Sequence, residues 1–248
     1  MHHPYKEGYD TLPKLKKLST PIFLHKITED YLTLKKNSLE TQPVFFEHNI
    51  TEDIYQTICN FILSQVPDLE EPHTFQNLSM QICEDLVIHR VEEDKDWTAS
   101  LFVCYPSGWC PSKIIGQNFF QTHHEIPMNL KNGDKLMKAC MLNGPYERFV
   151  WGLSFDGEFN RHPSVDKRKK FDLENPQIFV RVEKQIIYGF PEKKCFLFAL
   201  QTSFICENEI DKIALVDTLE HMSPAQKLYK GVDNQLINGL KLHWNLGN

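Results

Sequence analysis

The feature that most constrains the fold is a pair of long β-strand patterns close together in the C-terminal half of the chain. Residues 178–187 and 195–204 are both rich in β-branched and aromatic side chains, which are typical of strands. Residues 189–194, between them, are few enough for a hairpin connection. Because so short a connection can join only antiparallel neighbours, we expect the two patterns to form adjacent antiparallel strands.

Three further strand patterns precede this pair, over residues 85–89, 100–104 and 148–155. The pattern therefore predicts five strands. Helical periodicity lies between the second and third strands and again after the last one, around residues 136–142, 210–219 and 236–242. An antiparallel sheet with helices inserted in the middle and appended at the end predicts an α+β fold rather than a doubly wound α/β fold.

The N-terminal part is expected to be irregular, since four prolines interrupt any long helix: Pro4, Pro13, Pro21 and Pro43. Apolar residues then recur on one helical face: Ile54, Ile58, Phe61 and Ile62. A helix is expected there, with a capping box between Asn49 and Glu52 near its start at Thr51 and its end before Pro67. For a chain of 248 residues we predict an arm over residues 1–48 and a single domain over residues 49–248.

Composition argues against several classes of partner. The formal net charge of −6 gives no long-range attraction for nucleic acid, and the basic run over residues 167–170 lies between acidic residues as a solvated loop would. No apolar run approaches the roughly 18 residues that a membrane span requires. The seven cysteines are odd in number and widely spaced, which is typical of reduced thiols. We therefore expect a cytoplasmic protein without nucleic-acid or membrane partners.

Common metal and nucleotide motifs do not occur in the sequence. It contains neither a CxxC pair nor an HExxH motif, so the usual zinc frameworks have no support. It contains neither GxGxxG nor GxxxxGK, so a directly bound nucleotide is not expected. The CxxCH motif that attaches a c-type haem covalently does not occur either.

One of the strand patterns carries a polar face. Arg181, Glu183 and Gln185 are spaced two residues apart, so their side chains leave one face of the strand while apolar side chains leave the other. Such a pattern often marks only the hydrated face of a sheet. The functional alternative is a cavity in which a guanidinium and a carboxylate fix or polarise a small ligand.

Two other segments have unusual residue combinations. Residues 103–111 lead from an apolar strand into a Pro-Ser-Gly turn flanked by Tyr105 and Trp109, although turn chemistry alone explains the proline and the glycine. A later segment places His123 and His124 side by side after a short helix-like stretch. Each histidine, taken singly, is more typical of a surface or core position than of a ligand.

Four short motifs in these segments, taken in order, resemble those of one known family. The run CYPSGW over residues 104–109 resembles its Cys-Phe-Pro-Ser-Gly-Trp signature, and THHEIP over residues 122–127 resembles its Ile-His-x-Pro-Val-Pro. RVEKQIIYGFP over residues 181–191 looks like its Arg-x-Glu-Arg-Gln-Thr-Leu-x-Arg-Leu-Pro, and YKG over residues 229–231 matches a short C-terminal motif. The family is the haem-dependent oxidative N-demethylase α-subunit-like group, and the joint occurrence of its motifs favours the functional interpretation of each.

This resemblance implies a PAS-like sheet that holds haem b, and oxidation of a small secondary amine with dioxygen and reducing equivalents. Because the chain has no flavin, nicotinamide or iron–sulfur motif, it also implies a separate reductase protein. His123 aligns with the family histidine and His124 with a variable position, so His123 is implied as the axial iron ligand. Arg181, Glu183 and Gln185 would line the pocket, with Glu183 or Arg181 holding the amine or polarising the oxygen.

Other positions agree with the family only in part. The resemblance implies that Tyr105, Trp109, Phe155 and Gln201 also bind the cofactor, and strand pairing is expected to bring Gln201 or its neighbours beside Glu183. Phe155, however, replaces a common tryptophan and Gln201 replaces an arginine. Because these changes alter the charge and shape of the pocket, the substrate need not be dimethylamine.

Three functions are compatible with these features. The first is a demethylase-type haem subunit that acts on a small amine. The second is a non-catalytic haem protein that senses a diatomic gas. The third is a PAS-like module that binds an apolar ligand without haem. Should His123 not be the iron ligand, His89 and His162 are the next candidates.

Overall fold

The computed structural model describes residues 2–247 apart from residues 13, 21, 94, 124–125, 127–132 and 166, and apart from the side chain of residue 134. His124 and Glu125 therefore lie outside the described residues. Within them the strands are β1 (Lys16–Lys17), β2 (Phe45–Glu47), β3 (Asp85–Val91), β4 (Asp96–Phe102), β5 (Tyr146–Ser154), β6 (Phe179–Phe190) and β7 (Cys195–Cys206). The helices are α1 (Glu29–Thr41), α2 (Glu52–Gln65), α3 (Phe75–Met80), α4 (Pro111–Ile114), α5 (Phe119–Thr122), α6 (Gly133–Asn143), α7 (Lys212–His221), α8 (Pro224–Lys230) and α9 (Asn234–His243).

The strands form one antiparallel sheet in the order β1-β5-β6-β7-β3-β4-β2. The α+β prediction is confirmed, and so is the hairpin, in which Phe190 of β6 pairs with Cys195 of β7. The prediction of five strands is wrong, because the sheet has seven strands among the described residues. The two strands that were not predicted, β1 and β2, form its two edges. These edge strands are two and three residues long, which is too short for an alternating pattern to be recognised in the sequence.

The N-terminal segment is more regular than its prolines suggest. Helix α1 begins after Thr28, whose hydroxyl accepts a hydrogen bond from the Tyr31 N–H, and ends before Pro43. Helix α2 occupies the predicted place, but its N-cap is Thr51, so the expected capping box at Asn49 does not form. Tyr5 is fully buried against the C-terminal helices, and this segment therefore packs on the body of the protein.

Two apolar clusters fill one face of the sheet. Helices α2 and α3 pack Ile58, Ile62 and Leu78 against β3 and β7. Helices α7 and α9 pack against β5 and β6, where Val180 and Val182 are buried. Each fully buried aliphatic side chain contributes about 1.5–3 kcal/mol, so these clusters hold the helices firmly on this face.

The opposite face of the sheet is covered at one end by α6. Met137 and Cys140 of α6 pack with Ile187 and Phe196. The helix comes so close to β6 that a side chain in place of Gly189 would collide with the Met141 carbonyl. Beyond α6 this face carries both polar side chains, such as Arg181 and Glu183, and apolar ones, such as Val150 and Leu200. Among the described residues no helix is both long and apolar enough to cross a lipid bilayer.

Candidate functional site

Strand register brings five polar side chains to one face of the sheet. Glu183 of β6 pairs with Thr202 of β7, and Gln185 pairs with Arg148 of β5. Arg181 lies two residues from Glu183 on the same strand. Because directly paired residues project from the same side of a sheet, these five side chains share a surface that we call the polar face.

Arg181 is a buried anchor of the polar face, with 7% of its surface exposed. Its Nη2 donates hydrogen bonds to the Tyr105 carbonyl oxygen at 2.9 Å and to Thr202 Oγ1 at 3.2 Å. Its Nη1 donates to Glu183 Oε1 at 3.1 Å. The guanidinium thus ties the loop after β4 to the sheet and fixes one oxygen of the Glu183 carboxylate.

Glu183 lies at the centre of the polar face. Its second oxygen, Oε2, accepts a hydrogen bond from Gln185 Nε2 at 2.8 Å. The side chain of Glu183 is 15% exposed, so part of the carboxylate can still be reached by a ligand. With one donor on each oxygen, the carboxylate is held in a fixed orientation and keeps lone pairs for a further donor.

His123 ends the short helix α5 and is half-buried. Its Nδ1 lies 2.9 Å from the Phe119 carbonyl oxygen. Since a carbonyl can only accept, Nδ1 carries the proton and, in the neutral ring, Nε2 has the lone pair. Burial and the nearby positive charge of Arg148 lower the pKa of His123 below its ordinary value, although the bond to Phe119 acts in the opposite direction. His123 is therefore a neutral imidazole near pH 7, and its Nε2 makes no hydrogen bond with a described residue.

Asp96 at the start of β4 positions this helix. Its Oδ2 accepts hydrogen bonds from the Phe119 N–H and from His89 Nε2, both at 2.7 Å. Burial alone would raise the pKa of the Asp96 carboxyl, but these two bonds bring the pKa below its ordinary value. The carboxylate is thus a fixed anchor for the segment that ends in His123.

The two alternative histidines are engaged elsewhere. His89 gives its Nε2 to Asp96 and stacks on Phe196 with ring centroids 5.1 Å apart. His162 has its Nε2 3.3 Å from Cys110 Sγ and its Nδ1 2.6 Å from Ser164 Oγ. Within the described residues both ring nitrogens of His162 have hydrogen-bond partners, whereas His123 Nε2 and His89 Nδ1 have none. His89 is fixed between Asp96 and Phe196, which leaves His123 as the candidate at the end of a short helix.

Tyr105 and Trp109 lie in the loop after β4. Tyr105 is buried, contacts Arg181 through its carbonyl oxygen and donates its hydroxyl to the Tyr31 carbonyl oxygen at 3.0 Å. Its side chain is thus committed to the core. Trp109 is half-buried and makes no hydrogen bond to the polar face within the described part of the chain. The structure therefore brings Tyr105 to the site through its backbone.

Gln201 and Phe155 do not join the polar face. Gln201 pairs with Lys184, so it projects to the other side of the sheet, and Thr202 takes the expected place beside Glu183. Phe155 follows β5 and packs on Phe171, with ring centroids 5.6 Å apart, against the cluster beneath the C-terminal helices. The expectation that Gln201 or one of its neighbours lies beside Glu183 is therefore met by the neighbour Thr202, while Gln201 itself, one residue away on the strand, projects from the other face.

Several residues of the site carried no sequence signal. Asp96 and Phe119 act through contacts between distant segments, which no local pattern reveals. Arg148 lies in a predicted strand, so its pairing with Gln185 could have been anticipated once the strand order was known.

Within the described residues no three His, Cys, Asp or Glu side chains gather as a protein-built metal site requires. A haem iron, in contrast, needs as little as one protein ligand.

A family model described as haem-dependent oxidative N-demethylase, alpha subunit-like, matches residues 18–235, which is most of the chain. No curated protein matches the chain. The matched region includes every residue of the polar face and the helix that ends in His123.

Proposed function

The chain belongs to the haem-dependent oxidative N-demethylase, alpha subunit-like, family, and from this premise we propose that it holds one non-covalent haem b and demethylates a small amine. Dioxygen is the oxidant in this reaction, and the electrons come from a separate reductase protein. The products are the shortened amine, formaldehyde and water, which balances one dioxygen, two electrons and two protons. The family description names an alpha subunit, which supports a partner protein.

The hydrogen bonding of His123 is the observation that supports the proposal most strongly. Its Nδ1 proton is held by the Phe119 carbonyl oxygen, and second-sphere bonds of this kind orient histidines that ligate metals. Its lowered pKa keeps the ring neutral, which is the form that binds iron. His123 thus fits the role of the side chain that would hold the haem iron.

Apolar surface lies between His123 and the polar side chains. His123 packs on Phe119, with ring centroids 4.4 Å apart, and Phe119 belongs to the same cluster as Phe198 of β7. Leu200, the next residue of β7 on this face, pairs with Gln185. Apolar side chains therefore connect His123 to the polar face, and this is the surface on which we place the planar apolar cofactor in the proposal.

Each side chain of the polar face has a distinct role in the proposed reaction. When bound, the haem supplies the iron that activates dioxygen. Glu183 binds the ammonium group of the substrate and accepts its proton at a carboxylate oxygen. Arg181 and Gln185 hold that carboxylate in place and are not displaced, since each donates to a different oxygen. Tyr105 contributes the carbonyl oxygen that fixes Arg181.

Domain organisation and cellular location complete the proposed function. We assign the haem to a PAS-like domain over residues 49–248, preceded by an arm over residues 1–48. Support for the PAS-like character is the continuous antiparallel sheet in which the last long strand, β7, lies beside the first one, β3. Trp109 is kept as a cofactor contact from the loop that Arg181 holds. The cytoplasm is the proposed location.

Oxygen consumption by haemin-reconstituted protein tests the enzymatic function. With a surrogate reductant and a panel of small secondary and tertiary amines, at least one amine should raise oxygen consumption and release formaldehyde in equal amount. Omission of the amine and boiled protein serve as controls. Reversible binding of carbon monoxide and nitric oxide without any amine-dependent consumption would favour the gas-sensor function instead.

A further inference from the structure

Two cations, Arg148 of the polar face and Lys230 beside it, form no ion pair with any of the residues that the structure describes. Arg148 makes no hydrogen bond and no ion pair with any described residue, and its Nε is buried without a partner. Lys230 likewise contacts aromatic rings rather than an acidic side chain in the described part of the chain. An unpaired cation in a partly buried place costs free energy unless a ligand neutralises it or water solvates it.

The ammonium of Lys230 reaches this face from the last residue of α8. Its Nζ lies 3.8 Å from the point that a Cβ on Gly152 would occupy. Gly152 pairs with Arg181 on the polar face. The rings of Tyr9 and Tyr229 lie below the ammonium with centroids 5.3 Å away, and such cation–π contacts hold it in place.

The two cations flank one position of the sheet. Arg148 and Gly152 lie on the same face of β5, and Val150 lies between them. Val150 pairs with Glu183. A ligand group over Val150 therefore has a guanidinium on one side, an ammonium on the other and a carboxylate as its neighbour.

The charge balance of this region favours an anion. Arg181 already occupies one oxygen of Glu183 at 3.1 Å, while Arg148 and Lys230 bring two more positive charges close to the same carboxylate. Among the described side chains, three cations thus lie near one anion. A second negative group is needed to balance them, and a planar guanidinium with an ammonium beside it is well matched to a carboxylate.

We propose that Arg148 and Lys230 form a carboxylate-binding site over Val150. The carboxylate comes either from a haem propionate or from an amino acid methylated on nitrogen, whose ammonium group would meet Glu183. The choice of these two sources rests on the proposed function, because it assumes that the chain binds haem and a methylated amine. It differs from a simple amine site, in which Glu183 alone would select the substrate.

Binding of paired ligands with and without a free carboxylate tests the proposal. The ligands are haemin and haemin dimethyl ester, metal-free protoporphyrin IX and its dimethyl ester, and N-methylglycine and dimethylamine. The proteins are the wild type, Arg148→Gln, Lys230→Gln and the control Lys184→Gln, which removes a cation from the other face of β6. Thermal unfolding shows that each variant folds. Soret absorption, porphyrin fluorescence and calorimetry report the affinities.

If a propionate is the ligand, the wild type binds each free acid more tightly than its ester, and Arg148→Gln weakens only the free acid, by about tenfold or more. If a substrate carboxylate is the ligand, acid and ester bind alike, and Arg148→Gln weakens N-methylglycine by about the same factor without affecting dimethylamine. Lys230→Gln acts in the same direction, and Lys184→Gln has no effect.

The proposal is overturned if Arg148→Gln and Lys230→Gln change neither the acid-to-ester ratio nor the affinity for N-methylglycine. Binding of metal-free protoporphyrin IX, and calorimetry on the apo protein, measure carboxylate affinity without any contribution from iron. Failure of the proposed function gives a different result. The wild type would then not bind haemin in a stoichiometric amount, but Arg148→Gln and Lys230→Gln would still weaken the binding of carboxylate ligands.

Discussion

His123 Nδ1 lies 2.9 Å from the Phe119 carbonyl oxygen, four residues earlier in the chain. The Thr122 hydroxyl also donates to this carbonyl, at 2.8 Å. The acceptor fixes the proton on Nδ1 and leaves the lone pair on Nε2, so the end of α5 presents a neutral imidazole in a defined orientation.

Replacement of His123 is expected to remove the protein ligand of the iron. His123→Gly should lower haemin affinity by about tenfold or more and change the Soret and visible bands, because the iron loses its imidazole. Added imidazole should restore the wild-type spectrum. The matched control is His124→Gly, the adjacent residue in the sequence. If the control loses the spectrum and His123→Gly keeps it, the ligand assignment is wrong.

Asp96→Asn is expected to destabilise the helix that carries His123. The carboxylate accepts bonds from the Phe119 N–H and His89, and loss of a charged acceptor costs about 1–3 kcal/mol of unfolding free energy. Denaturant unfolding of the apo protein measures the cost. Faster haem loss from the holo protein should accompany it, and rates equal to wild type would show that Asp96 does not position His123.

The effect of Asp96→Asn should depend on pH. Because the pKa of Asp96 is lowered in the folded protein, its carboxylate stabilises the fold above the unfolded pKa of about 3.9, and this contribution is lost as the pH falls through the folded pKa. The difference in unfolding free energy between wild type and Asp96→Asn should be constant near neutral pH and shrink below about pH 4. A difference that grows on acidification would contradict this assignment.

Glu183→Gln is expected to separate cofactor binding from turnover. The glutamine keeps the shape of the side chain but loses the negative charge and the proton acceptor, so haem content should not change while amine-dependent oxygen consumption falls by about a hundredfold or more. Lys184→Gln, the next residue on the opposite face, is the control and should retain activity. Equal activity in wild type and Glu183→Gln would remove Glu183 from the reaction.

Carboxylate affinity should fall as the pH rises through the pKa of Lys230. Burial lowers this pKa from its ordinary value to about 8, whereas Glu183 acts in the opposite direction. The protonated amine binds a carboxylate better, so the affinity for N-methylglycine or for the free porphyrin acid should decrease between pH 7 and pH 9 in the wild type, but not in Lys230→Gln. The other charged or titratable groups near this ammonium are Arg148, Arg168, Arg181, Tyr9 and Tyr229. The pKa of Tyr9 is raised by burial, so Tyr9 stays neutral over this range.

Local sequence patterns predicted the long elements of the fold well. The runs that became β6 and β7 alternate strongly, and α2, α6, α7 and α9 have clear helical periodicity. Helix α1 was not predicted because little of its surface is buried, so it lacks an apolar stripe. The short strands β1 and β2 owe their existence to pairing with β5 and β4 rather than to their own residues.

The candidate site was predictable only where it follows a single strand. The grouping of Arg181, Glu183 and Gln185 depends on a two-residue period, which the sequence displays. Which residue of β7 faces Glu183 depends on the register between two strands, so the sequence could only indicate Gln201 or a neighbour, and the structure selects Thr202. Lys230 comes from a helix far along the chain, and only the tertiary fold brings it to the polar face.

The most direct test of the account is the haem stoichiometry of the reconstituted protein. Apo protein is titrated with haemin, passed through a desalting column and analysed as the pyridine haemochrome. The account predicts a saturable Soret band, one haem b per chain in the wild type and a clearly lower retained amount in His123→Gly. Retention of far less than one haem per wild-type chain would contradict the central claim.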